Sequence, residues 1–192
     1  MNSFNKIAYF IALALSLCSG TVFSMDIFGA AEYGDLARVQ ELIGQDQSVV
    51  NQQDEDGKTP LHMAARRGGH TGVVQVLIAA RADVNAQGLS GRTPLHWAAH
   101  YGRADVAQQL ITAGADPSIV ARDGNYPLSI AIARGHDEIA NMVFDAMEEI
   151  RTRRMREIAS ALASATQPRL GADSPAALLS QDLMAYIVRS AV

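Results

Sequence analysis

Apolar residues in this chain follow three patterns in turn. An apolar run spans Ile7 to Cys18, short apolar clusters at helical spacing recur through the middle, and a long stripe begins near Asp137. In the middle region Val73, Val74, Leu77 and Ile78 fall on one side of a 3.6-residue turn and predict an amphipathic helix. Val106, Ala107, Leu110 and Ile111 predict a second of the same kind. Ahead of each lies a shorter apolar segment opened by Thr59-Pro60 or Thr93-Pro94, with Leu61 or Leu95 as the inward residue. Threonine can cap exposed backbone N–H groups at a helix start, and proline fits the first helical position, where no N–H is needed. Farther on, Ile139, Val143, Met147, Ile150, Ile158 and Leu162 predict one helix from about Asp137 to Gln167-Pro168, with Glu149 and Arg153 as an i,i+4 ion pair on its surface. After a linker, Gln167 to Asp173, the signal Asp173-Ser174-Pro175 followed by Leu178, Leu179, Leu183, Ile187 and Val188 predicts a last amphipathic helix.

These helices belong to an internal repeat. Gly57-Lys58-Thr59-Pro60-Leu61-His62-Met63-Ala64-Ala65 returns as Gly91-Arg92-Thr93-Pro94-Leu95-His96-Trp97-Ala98-Ala99, and in altered form as Gly124-Asn125-Tyr126-Pro127-Leu128-Ser129-Ile130-Ala131-Ile132. The leading glycines are 34 and then 33 residues apart. The exits repeat too, Ala82-Asp83-Val84-Asn85 matching Ala115-Asp116-Pro117-Ser118, with the extra residue in the Gly68-Gly69 pair. A period near 33 with Thr-Pro-Leu-His-x-Ala resembles the ankyrin-repeat family across about residues 26 to 148. The resemblance implies an all-α solenoid of stacked helix-turn-helix units joined by short hairpin loops, followed by a C-terminal helical extension. The expected domain is 25–148, with a cap at 25–56, repeats at 57–90 and 91–123, and a closing repeat at 124–148. A helical extension at 149–167 and a linker with amphipathic helix at 168–192 complete the chain. The resemblance also implies that His62 and His96 are structural, bonding between neighbouring repeats.

The first apolar run changes the picture of where the protein works. Lys6 is the only charge before Asp26, and Ser19 to Ser24 are mostly small or polar, with Val22 and Ser24 at the −3 and −1 positions of a cleavage site. This predicts a secretory signal peptide at residues 1–24 and a chain exported to the periplasm or the exterior. Twelve helical residues reach only about 18 Å, short of the roughly 30 Å hydrocarbon core, so no stable span is expected after cleavage. The competing expectation is a cytoplasmic protein whose translation starts at Met25. Cleavage removes Cys18, the only cysteine, and with it any disulfide or thiolate chemistry. It leaves 15 basic and 20 acidic residues, a net −5, which gives no pull toward nucleic acid.

Candidate chemistry is sparse. His96 and His100 have the i,i+4 spacing of metal ligands, yet Trp97 stands where a zinc hydrolase needs glutamate and no third ligand is apparent. Asp54-Glu55-Asp56 lacks the alternation of a calcium loop. Arg151, Arg153, Arg154 and Arg156 are interleaved with Glu148, Glu149 and Glu157 and read as a solvated helix face. No catalytic set, metal site or cofactor is expected.

The resemblance implies instead a protein partner held by the hairpin tips and the concave face of the first helices, by a chain that is monomeric when free. The positions after each Ala-Ala pair and at the tips give the candidates Tyr33, Arg66, Arg67, Leu89, Arg92, His100, Tyr101, Arg122 and Arg134. Tyrosine and arginine are favoured interface anchors. Trp97 is expected to be mainly a packing residue. The alternative function is an exported effector that uses its C-terminal helix to recruit host machinery; Leu179 to Ile187 faintly resembles the opening of an F-box-type segment. Ser180 replaces its proline and the rest of the box is missing, so a helix packing back onto the solenoid is the favoured expectation for this segment.

Overall fold

The computed structural model describes residues 26–67 and 70–166. The expected leader, the Gly68-Gly69 turn and the expected C-terminal linker and helix lie outside the described residues. Within them the regular structure is helical throughout, with no strand. The helices are α1 (Ile27–Tyr33), α2 (Leu36–Gln45), α3 (Pro60–Arg67), α4 (Thr71–Ala79), α5 (Pro94–Tyr101), α6 (Ala104–Thr112), α7 (Pro127–Arg134) and α8 (Asp137–Thr166), with a 3₁₀ turn at Gln47–Asn51 between α2 and α3.

Each short helix pairs with the one that follows it, and like packs on like along two rows. The inner row is α1, α3, α5, α7; the outer row is α2, α4, α6, α8. This is the stacked arrangement expected from the period. Leu61, Leu95, Ala64, Ala65, Ala98 and Ala99 are fully buried, as are Val74, Leu77, Ala107 and Leu110 of the outer row. The alanine pairs keep the inner helices slim, so neighbours approach closely. Each buried leucine contributes roughly 1.5–3 kcal/mol through area removed from water.

Between units the fold is held by polar bridges at a fixed register. The His62 ring accepts at Nδ1 from the Thr59 backbone N–H at 2.9 Å, and its Nε2 lies 3.0 Å from the Arg92 carbonyl of the next repeat. His96 does the same, with Thr93 N–H at 3.1 Å and the Asn125 carbonyl at 3.2 Å. An Nδ1 that accepts leaves Nε2 to carry the proton and donate it to the carbonyl. The structural role expected for these histidines is therefore present. The threonine hydroxyls also lie 2.9 and 2.8 Å from the same Nδ1 atoms, and the ring takes the place of the acid or amide in a capping box.

A second series of bridges joins the exits. Asn51 accepts from Asp83 N–H at 2.8 Å and donates to the Arg81 carbonyl at 3.2 Å. Asn85 accepts from Asp116 N–H at 2.7 Å and donates to the Gly114 carbonyl at 3.4 Å.

The last unit departs from the others. Ser129 replaces the histidine and only its local half survives, with Ser129 Oγ accepting from Tyr126 N–H and donating to the Tyr126 carbonyl, both at 2.9 Å. Helix α8 runs through residues 148 and 149 without a break, so the closing repeat and the extension share one helix of 30 residues, about 45 Å long. Arg153 bonds Glu157 at 3.2 Å and not Glu149, correcting the expected pair.

Candidate partner-binding face

The hairpin tips are built by short polar turns. Asp54 Oδ1 accepts from the N–H groups of Asp56 at 2.9 Å and Lys58 at 2.7 Å, which folds Asp54-Glu55-Asp56 into a turn and uses the carboxylate that a cation would need. Successive tips then bond to each other through the backbone, Leu89 N–H to Asp56 carbonyl at 2.8 Å and Arg122 N–H to Ser90 carbonyl at 2.9 Å. Gly91 makes this approach possible. Its φ is +73°, and a Cβ there would lie 2.9 Å from the Arg122 backbone nitrogen. The tips are therefore one continuous rigid edge.

Beneath that edge lies an open depression of about 500 Å³ lined by Asp56, Lys58, Leu89, Arg92, Trp97 and Arg122 among others. Trp97 is half-buried at its floor. The Lys58 ammonium and the Arg92 guanidinium each stand 5.6 Å from its ring centroid, within cation–π range. Tyr101 stacks on Trp97 at 6.0 Å with 12° between the planes, and His100 meets Tyr101 edge-on at 4.8 Å. Two of the three cations are also paired: Lys58 Nζ with Asp56 at 2.6 Å and Arg92 with Asp123 at 2.8 Å. The hydrogen bond from Arg92, joined by those from Asn125, holds the Asp123 carboxyl down at about 2. The Arg122 guanidinium makes no ion pair among the described residues.

The His100 imidazole is pushed down, first by partial burial and then by the nearby Arg134 and Arg92 charges, so it is neutral at neutral pH. The arrangement offers an aromatic surface, a protruding Leu89 that is 59% exposed, and one unpaired cation. It offers no nucleophile beside a base. Both ring nitrogens of His96 are already engaged, and no group of three His, Cys, Asp or Glu side chains suited to a metal occurs among the described residues.

Eight of the nine candidate residues divide between two places. Leu89, Arg92 and Arg122 line the depression, and His100 and Tyr101 extend it along α5. Tyr33, Arg66 and Arg67 form a separate cluster nearer the N-terminal end. There Glu32 Oε1 accepts from Arg66 at 2.7 Å and Arg67 at 2.8 Å, and the Arg67 guanidinium lies 5.2 Å over the Tyr33 ring. These two arginines thus already serve a contact between α1 and α3. Arg134 is exposed in the last turn of α7. Sequence reasoning places Lys58 at a hairpin tip but reads Trp97 mainly as packing, and so misses it as the centre of this site. The available signal was Trp97 itself, a large aromatic at the position that Met63 and Ile130 occupy in the neighbouring units.

Comparison with known proteins agrees with this architecture. The family model for ankyrin repeats, three copies, matches residues 27–121 and 91–154. The chain is 36% identical over 100 residues, 52% of its length, to mouse (Mus musculus) ankyrin repeat and SAM domain-containing protein 6. It is 33% identical over 115 residues, 58% of its length, to the human transient receptor potential cation channel subfamily A member 1. With human ankyrin repeat domain-containing protein 49 it shares 48% identity over 54 residues, 28% of its length. The matched regions span 11%, 10% and 22% of those relatives, so the likeness concerns the repeats and not the whole proteins.

Proposed function

The chain belongs to the ankyrin-repeat family, and on that premise we propose that it is a binding module for a protein partner, held on the concave face at the depression floored by Trp97. Ankyrin repeats generally mediate protein–protein interaction and act as scaffolds, not enzymes. The observation that carries this reading is the Trp97–Tyr101 stack, flanked by Lys58 and Arg92 and roofed by the exposed Leu89. Aromatic and arginine side chains concentrated at the centre of a concave patch are the composition of an interface hot spot. The Arg122 guanidinium suits an acidic side chain on that partner. The tips bring rigidity, because an edge already hydrogen-bonded to itself loses little freedom on binding.

The site residues so engaged are Leu89, Arg92, His100, Tyr101 and Arg122, with Arg134 at the margin. Replacing Tyr101 and Arg122 together by alanine is expected to lower partner capture at least about tenfold, the usual cost of two hot-spot residues. The melting temperature of that variant should stay within about 2 °C of the parent, since exposed residues contribute little to stability. Loss of binding in step with loss of folding would contradict the proposal.

Export through the 1–24 leader is the compartment we propose for this binding. Sequencing the mature N-terminus checks it: a chain beginning at Met25 within the exported fraction supports export, and an intact Met1 terminus in the cytoplasm refutes it. No described helix is long and apolar enough to cross a membrane.

A further inference from the structure

Helix α8 outruns the repeats that it closes. The part beyond residue 148 carries Ile150, Met155 and Ile158, and Ile158 is 50% exposed. Together with Met147 and with Pro117 from the third unit's exit, these residues line an apolar groove of about 310 Å³, edged by the stems of Arg151 and Arg154. Solenoids require terminal elements that cover the apolar side of the last unit. Ala159 in this part of the helix is only 7% exposed, yet, like Ala121, it is not a member of the contiguous core.

We propose that residues 174–188 return antiparallel along α8 as an amphipathic helix and occupy this groove, so that the chain caps its own solenoid. Three features of the sequence fit that occupant. Leu179, Leu183, Tyr186 and Ile187 stand at i, i+4, i+7 and i+8, which gives one apolar side. The connection 167–173 has seven residues, within the roughly 2–8 found between antiparallel helices, and contains Pro168 and Gly171. A helix over 174–188 is about 22 Å long, enough to cover α8 from its end back past Met155. In a hairpin that sets Pro175 beside Thr166, Leu183 lies opposite Ile158, and Ala159 falls under the same helix. An apolar side spent on α8 is not free to recruit another protein, so the docking also opposes the effector reading of the C-terminal segment.

Thiol crosslinking in the full chain tests this. With Cys18→Ser in place, Ile158→Cys and Leu183→Cys should be joined within one molecule by a short bis-maleimide, at a yield independent of protein concentration. Gln181→Cys, on the opposite side of the returning helix, should join Ile158→Cys at least about fivefold less. Joining between two molecules at a concentration-dependent yield would assign the groove to a second copy and overturn the proposal, as would equal or absent joining of the two pairs. As a second readout, Leu183→Asp with Ile187→Asp should raise deuterium uptake of residues 150–161 at least about tenfold while leaving residues 94–112 unchanged. Unchanged uptake in 150–161 would also overturn it.

Discussion

Single side chains set the register of the stack, and the two buried histidines do so in a pH-dependent way. Burial is the largest influence on His62 and His96 and pushes both below the ordinary imidazole value, against the backbone carbonyls that favour protonation. The unfolded chain protonates them near about 6.5. Above that pH both states are neutral and their contribution is complete. As pH falls below it, the unfolded chain takes up protons first, and stability declines toward the lower folded-state value. Urea midpoints should therefore drop between pH 7.5 and 5.5, and should drop less in a variant carrying His62→Ala and His96→Ala. The same substitution at His62 alone leaves Thr59 N–H and the Arg92 carbonyl without their partner and should cost about 1–3 kcal/mol at pH 7.5. Glycine gives a second contrast. Gly124 has φ +78° and open space around a would-be Cβ, whereas Gly91 meets the Arg122 backbone. Gly91→Ala should thus lose at least about 1 kcal/mol more than Gly124→Ala in the same unfolding assay, since both bear the left-handed cost of about 1 kcal/mol. Much of this was legible in the chain: Thr59-Pro60-Leu61-His62 and the glycines at a 33–34-residue spacing announce themselves. That the threonine hydroxyl faces the imidazole was not, because the partner of a cap is chosen by side-chain rotamer and not by spacing.

Among the helices and turns, the exits show how a periodic sequence hides its cross-links. Asn51 and Asn85 each bridge to backbone about thirty residues onward. Ser118, at the matching position of the next unit, only turns back on Asp116 with its backbone N–H and hydroxyl. Asn85→Ala should destabilise by about 1 kcal/mol and Ser118→Ala by much less, measured by thermal unfolding. The alignment of Asn85 with Ser118 was readable in the sequence, but their different reach is a matter of which backbone groups the next unit offers. Helix α8 was legible in the same partial way. Its apolar stripe gave the length correctly, whereas Arg153 turned to Glu157 because exposed ion pairs differ by only tenths of a kcal/mol. The paired arginines of α3 illustrate the limit for binding residues. Position alone put Arg66 and Arg67 on the concave face, and only the fold shows Glu32 holding both.

The molecule as a whole is a short stack in which every unit leans on its neighbours. Leu95 is buried between units above and below, so Leu95→Ala should cost about 2–5 kcal/mol and lower the stability of the whole array in one transition. Calorimetric and van't Hoff enthalpies that agree for parent and variant would show that single transition. The stack presents its hairpin tips and the Trp97 depression on the side of the inner helices and the outer helices on the other. Photo-crosslinking reads this polarity directly, with a photoreactive residue placed singly at Leu89, Tyr101 or Arg122 on the concave side, or at Gln75 or Gln108 on the exposed outer helices. The same partner should be captured from the first three positions and not from the last two. Equal capture from both sides, or capture from Gln75 and Gln108 alone, would contradict a binding face built on the inner helices and their tips.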